Sequence, residues 1–192
     1  MNPTTIGTLP VYALAPLEYR YALDAAMSVM GNKDEILVRC GDSALLGEVR
    51  NRIPVWGESR PAEAGLWVEP QVDGWGEDLK ALAECDSLVL VASRPLARLI
   101  PEGWKAGGLG MRSGGTGKLV RALQDAGFGV ESHYGIHTLT SIGLNTLSRF
   151  ADIFDRPDLA DRLGFAARLH YCTPGPHRSL STVALIHARR RR

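Results

Sequence analysis

Apolar positions along the chain follow two periods, and the switches between them divide it into elements. Over residues 17–30, Leu17, Tyr21, Met27 and Met30 recur among alanines at nearly helical spacing and are followed by Gly31 and Asn32, which predicts an amphipathic helix capping the domain. "EILVRCG" is then a short strand. "SALLGEVRN" follows as a short helix with Ser43 as its N-cap, since a hydroxyl there accepts from the first unpaired backbone N–H groups. "IPVWGES" and "GLWVEPQV" predict two more strands, the second rich in residues that suit a pleated, buried surface. "EDLKALAE" is a helix. "CDSLVLVAS" is a nearly continuous apolar run, the pattern of a parallel strand covered on both faces.

Beyond Ser93 the punctuation changes. "PLARLI" is read as a short helix opened by Pro95, whose missing N–H would be unpaired in a first turn anyway. Seven glycines between Gly103 and Gly117 are too many for a regular element and predict a loop. "GKLVRALQDAGF" puts Leu119, Val120, Leu123 and Ala126 on one helical face and stops at Gly127; "FGVESHYGIHTL" is the strand behind it. Leu144, Leu147, Phe150, Ala151 and Phe154 make a helical stripe with Asn145 as its cap, and a second helix is predicted from Pro157 to Gly164. Phe165, Ala167, Leu169 and Tyr171 then alternate with more polar neighbours. "STVALIHARR" repeats the strand signal after a Pro/Gly turn at 174–176, predicting an antiparallel ending in the manner of a hairpin.

This order outlines an α/β protein with an open, mostly parallel sheet, helices on both faces and an antiparallel C-terminal strand. With 192 residues, 45% of them hydrophobic, a single domain suffices. A net charge of +1 removes any general electrostatic case for nucleic acid, and the closing run Arg189 to Arg192 is read as a solvated end. The N-terminal stretch has no basic n-region, and Pro10, Pro16, Glu18 and Arg20 interrupt its apolar runs, so neither a signal peptide nor a membrane span is expected. Cys40 and Cys85 sit in apolar runs and Cys172 lies far away, the usage of a reducing compartment, so a cytoplasmic location is expected.

Several chemical motifs are incomplete. "RSGGTGKL" is P-loop-like, but Arg112 occupies the first glycine position and Leu119 replaces the magnesium-binding hydroxyl residue. His133, His137, His170, Cys172 and His177 have no paired metal-ligand spacing, so no metal is expected. No G-x-S-x-G elbow supports a nucleophilic serine. Trp56, Trp67, Trp75 and Trp104 fall between the second predicted strand and the glycine loop, as core or as the lining of an aromatic pocket.

The stretches "VRCGDSALLG", "IPVWGES", "VEPQVDG" and "CDSLVLVAS", in this order of elements, resemble the class I S-adenosylmethionine-dependent methyltransferases over about residues 17–192. In that family a first strand ends in an acid followed by a glycine-rich turn against the methionine part of the cofactor. Here Gly41 keeps the first glycine, Arg39 stands where the acid would be, and Ser43 and Leu45 replace the later glycines, a degenerate first motif. Glu58 ends the stretch that resembles the second strand, whose acid receives the ribose hydroxyls; Asp73 follows the one resembling the third, near the adenine edge. "CDSLVLVAS" resembles the fourth strand, which catalytic or substrate-binding residues follow in active members. "RPLARL" supplies no acid or base there, so no catalytic residue is identified.

The resemblance implies one Rossmann-like domain over 1–192, with a helical cap over 1–34 and a helical insertion over 140–164. It further implies S-adenosylmethionine as cofactor and methyl transfer to a small molecule under the helices at 142–164, and it leaves self-association into a homo-oligomer open. The alternative is a binding or assembly subunit that keeps the fold and has lost the cofactor site, motivated by Arg39, Ser43 and Leu45.

Overall fold

The computed structural model describes residues 17–31, 33, 35–41, 49, 62–70, 75–94, 116–174 and 180–191. Its elements are α1 (Leu17–Met30), β1 (Ile36–Cys40), β2 (Ala64–Val68), α2 (Trp75–Leu82), β3 (Ser87–Ser93), α3 (Thr116–Asp125), β4 (Phe128–Thr138), α4 (Leu139–Ile153), α5 (Pro157–Leu169), β5 (Cys172–Pro174) and β6 (Ser181–Arg190). Gly31 and Gly127 close α1 and α3 in the left-handed region, at φ of 71° and 88°, which a residue without Cβ enters freely.

Six strands form one sheet in the order β1-β2-β3-β6-β4-β5. β1, β2 and β3 pair in parallel, and β6 pairs antiparallel with both β3 and β4. β4 therefore runs with the first three strands, and the sheet is mostly parallel, as the pattern predicts. The antiparallel C-terminal strand occupies an interior place.

Both faces are covered. On one, Ala22, Leu23, Ala26 and Met30 of α1 pack on Ile36, Val38, Leu66, Val89 and Ile136. On the other, Leu82 of α2 and Leu119 and Leu123 of α3 pack on Leu37, Trp67, Leu88, Leu90 and Phe128. Continuous burial on two sides explains why β2 and β3 read as apolar runs rather than alternations. Each fully buried large side chain contributes about 1.5–3 kcal/mol relative to exposure. Trp67 belongs to this core: its ring meets Trp75 edge to face at 6.4 Å, and its Nε1 donates to Asp78 Oδ2 at 2.9 Å. Trp56 and Trp104 lie outside the described residues. Among the described residues, no helix is long and apolar enough to cross a membrane.

The structure corrects several sequence expectations. The cap of α4 is Thr138, whose hydroxyl accepts from the Ser141 N–H, and Asn145 lies inside the helix. α5 does not stop at Gly164 but runs to Leu169, so the alternation from Phe165 to Leu169 belongs to a helix and Ala167 is buried. Short-range alternation cannot separate a strand from a helix that meets one neighbour on one side. β5 and β6 do not form a hairpin; they flank β4 on opposite sides. "SALLGEVRN", apart from helical Val49, lies outside the described residues, as do "IPVWGES" and "PLARLI". So does the glycine loop up to Gly115.

Strand order also corrects the resemblance. In the doubly wound order 3-2-1-4-5-6, the first strand neighbours the second and fourth, never the third. β2 lies directly beside β1, continues in parallel to β3, and is linked to β3 by α2 on the face that α3 also covers. "GLWV" therefore does not lie where the third strand of that order would.

Two expectations follow from this packing. A Cβ at Gly65 would lie 2.8 Å from Leu82 Cδ2 and 2.9 Å from Leu88 Cδ1, both on fully buried side chains. Gly65→Val is therefore expected to lower unfolding free energy in urea by about 1–3 kcal/mol. His187 in β6 has Nε2 3.0 Å from Ser87 Oγ and Nδ1 3.3 Å from Glu131 Oε2. Burial lowers its pKa below the ordinary 6.5, outweighing the attraction of Glu131, while Arg189 adds to the lowering. The neutral ring is favoured in the fold, so this contribution is whole above pH 6.5 and declines as pH falls through the lowered pKa. Melting temperature is expected to fall over that window, and His187→Gln to flatten the slope.

Candidate binding site at the carboxyl edge of the sheet

In open α/β sheets, ligands bind outside the carboxyl ends of the parallel strands. Eight buried polar or charged residues occur among the described residues: Glu69, Ser93, Arg94, His137, Thr138, Ser141, Ser181 and Thr182. All lie at that edge. Glu69 follows β2, Ser93 and Arg94 end β3, His137 and Thr138 end β4, and Ser141 is in the first turn of α4. Ser181 and Thr182 begin β6, whose reversed direction brings its start to the same edge, with Ser93 opposite Val183 and Thr138 opposite Ser181.

Hydrogen bonds join these residues across four strands. The Ser93 N–H and hydroxyl both donate to Glu69 Oε1, the hydroxyl at 2.5 Å. The Arg94 N–H donates to Thr182 O at 2.7 Å, and Thr182 Oγ1 lies 3.3 Å from His137 Nδ1. The His137 N–H donates to Tyr171 O at 2.7 Å, and the two rings meet at 5.4 Å. Thr138 Oγ1 donates to His170 O at 2.8 Å. Arg94 Nη2 lies 2.7 Å from His133 Nε2; a guanidinium only donates, so this nitrogen is the acceptor. This pairing offsets much of the cost of removing these groups from water, while Ser141 Oγ is buried without a hydrogen-bond partner among the described residues.

Backbone strain collects at the same place. Three non-glycine residues have positive φ among those described, and two of them, Glu69 at 45° and His137 at 55°, belong to this cluster. Left-handed geometry at ordinary residues costs on the order of 1–3 kcal/mol each and persists where the surroundings impose it, commonly at ligand sites.

Of the residues that the sequence nominates, Gly41 is described: it follows β1, is half-buried, and donates its N–H to Val68 O at 2.9 Å. It therefore stands beside the end of β2, one strand from Ser93. Glu58 and Asp73 lie outside the described residues, as do Ser43 and Leu45. Arg39 is half-buried, with Nη1 3.4 Å from Val38 O. His133 and His137 engage Arg94 and Thr182 respectively. Among the described residues, no group of three or more His, Cys, Asp or Glu side chains is placed to hold a metal ion.

Sequence reasoning missed Glu69, because the assignment of β2 to the third place directed attention to Asp73. A signal was present: Glu69-Pro70 and Arg94-Pro95 each put a charge and a proline directly after an apolar strand run. The opposite edge differs in character. A cleft of about 650 Å³ there is bordered by Lys33, Glu63, Asp86, Ser87, His187 and Arg189. Within it Lys33 lies 3.3 Å from Glu63, and Arg189 reaches outward to Glu131 at 3.4 Å.

The architecture is a Rossmann-like, open α/β sheet with its polar residues gathered where that class binds ligands. No protein-family model matches the chain, and no curated protein matches it. Among solved structures, the chain is similar to the methyltransferase domain of bacterial CtHen1-CN, with 8% identity and a TM-score of 0.46, covering 90% of this chain and 97% of that one.

Removing the carboxylate of Glu69 leaves the Ser93 N–H and hydroxyl facing a void. Glu69→Ala is expected to cost about 1–3 kcal/mol in denaturant unfolding, whereas Glu69→Gln, which retains an acceptor oxygen, is expected to cost less than half as much.

Proposed function

We propose that this chain is a methyltransferase-like enzyme that binds S-adenosylmethionine across the carboxyl ends of β1 and β2 and methylates a small molecule held beneath α4 and α5. The observation that carries the reading is the gathering of every described buried polar side chain at the carboxyl edge. The described part of the edge suits the cofactor in one respect: Gly41 puts a turn without a side chain beside the end of β2. Gly41, with Glu58 and Asp73 as the sequence nominates them, would hold the cofactor, which supplies an activated methyl group. With β2 taken as the fourth strand of that order, the family's catalytic or substrate-binding position falls to Glu69 rather than to the residues after Ser93. Glu69 and Ser93 fix the strand tips, and Arg94 orients His133. Methyl transfer depends mainly on proximity and alignment, so a rigid edge is the contribution required of the protein.

A second reading is favoured by a specific observation. The Gly41 N–H is already used by Val68 O, and Arg39, Ser43 and Leu45 depart from the family's first motif. A domain that keeps the fold as a binding or assembly subunit accounts for both.

Calorimetric titration with S-adenosylmethionine and S-adenosylhomocysteine separates the two. The enzyme reading expects micromolar binding, weakened about tenfold or more by Glu58→Ala, or roughly 1.4 kcal/mol. Absence of heat and of any thermal shift at millimolar ligand overturns it in favour of the second reading.

A further inference from the structure

We infer that Ser87, His187 and Glu131 form a Ser-His-Glu triad at the amino edge of the sheet that hydrolyses small carboxylic esters, independently of whether the domain transfers methyl groups. His187 Nε2 lies 3.0 Å from Ser87 Oγ, and Nδ1 of the same ring lies 3.3 Å from Glu131 Oε2. A nucleophile within hydrogen-bond reach of a base that a third group orients is how such sites are recognised on unrelated folds, whatever their order in sequence. A neutral imidazole accepts the serine proton at Nε2 only with its own proton on Nδ1, the nitrogen that faces the carboxylate. Glu131 therefore holds the ring in the tautomer that a general base requires.

The sheet positions each member. Ser87 is opposite Arg189 and Val89 opposite His187, so Ser87 and His187 are diagonal neighbours on one face although 100 residues separate them in sequence. The pairing of β4 with β6 shifts between Val130 and Ser132, and Glu131 is the extra residue there; such bulges re-aim side chains and recur beside active sites. The first residue of β3 thus presents the hydroxyl that a G-x-S-x-G elbow presents elsewhere. Ser87 and His187 both line the cleft of about 650 Å³, a size that admits a small ligand. Val29 and Met30 give it an apolar wall for a short acyl chain, and Lys33 and Arg189 bring cationic donors for the developing oxyanion.

In the reaction, Ser87 Oγ attacks the ester carbonyl as its proton passes to Nε2; the C–O bond to the alcohol breaks, and the departing oxygen takes that proton. Water then adds to the acyl-serine and gives a proton to Nε2. The carboxylic acid leaves as Ser87 Oγ recovers that proton. Burial holds the His187 pKa below the ordinary 6.5 against the pull of Glu131, and Arg189 adds to the lowering; Glu63, Asp86, Lys33 and Arg190 are the other charged groups around the cleft. The base is therefore mostly neutral at pH 7.

The test is hydrolysis of p-nitrophenyl acetate by the full chain, together with labelling by diisopropyl fluorophosphate, which bonds a serine Oγ through phosphorus as fluoride leaves. Turnover is expected, with a single label mapped to Ser87 and a rate that rises with pH to a plateau, its midpoint below 6.5. Ser87→Ala and His187→Gln are expected to abolish labelling and to lower kcat/KM by about a hundredfold or more, with circular dichroism retained. Glu131→Gln is expected to lower kcat/KM about tenfold and to move the midpoint further down, since the carboxylate raises the pKa of the ring. Turnover that survives Ser87→Ala, a label on another residue, or neither turnover nor label overturns the proposal.

Discussion

The placement of β6 between β3 and β4 is the constraint on which the rest of the structure depends. One strand pairs along most of its length on both sides, joining the parallel part of the sheet to β4 and β5. Its side chains are buried from Ser181 to Ile186, so it supplies core to both faces as well as hydrogen bonds to both neighbours. Its partner Ser87 lies about a hundred residues earlier, opposite Arg189. The sheet is thus completed by a non-local pairing, which carries a large loop-closure cost before it returns any stability.

The same strand builds the candidate site. Running against its neighbours, it delivers Ser181 and Thr182 to the edge where β2, β3 and β4 end, and Thr182 links Arg94 to His137. The two edges of the sheet consequently carry different chemistry. The carboxyl edge buries mostly paired polar groups and strained backbone; the amino edge keeps its charges near water, where pairs such as Lys33 with Glu63 contribute little. Burial of polar groups without such pairing would cost several kcal/mol, so their segregation to one edge marks a place shaped for something other than stability.

α4 and α5 stand apart from this logic. They are rooted at the polar edge through Thr138 and packed on one another through small residues, with Gly164 of α5 3.6 Å, measured from an ideal Cβ, from Ser148 Oγ. Their outer sides also expose large apolar side chains such as Leu147, Phe150, Phe154, Phe165 and Leu169. That exposure distinguishes the hairpin from α2 and α3, whose buried apolar side chains turn toward the sheet.

How much of this was legible beforehand follows from the range of the forces involved. The class of the fold, the strands at 36–40, 64–68 and 87–93, the helices at 17–30 and 116–125, and the stop at Gly127 were set by local patterning: buried parallel strands must be apolar throughout, and a left-handed helix end favours glycine. The end of α5 was not, because Phe165 to Leu169 alternate as a strand would, and their helical state shows only in the fold, where Ala167 is buried. Nor was the cap of α4, which depends on where β4 stops. Of the nominated site residues, Gly41 falls at the expected edge by its position after β1. Glu69, Ser93, Arg94 and His137 come together because three parallel strands and one reversed strand end at the same level, a coincidence of register between segments up to a hundred residues apart. Local sequence determined which segments would be strands and helices; tertiary pairing alone decided which strand lies beside which, and therefore which side chains share an edge.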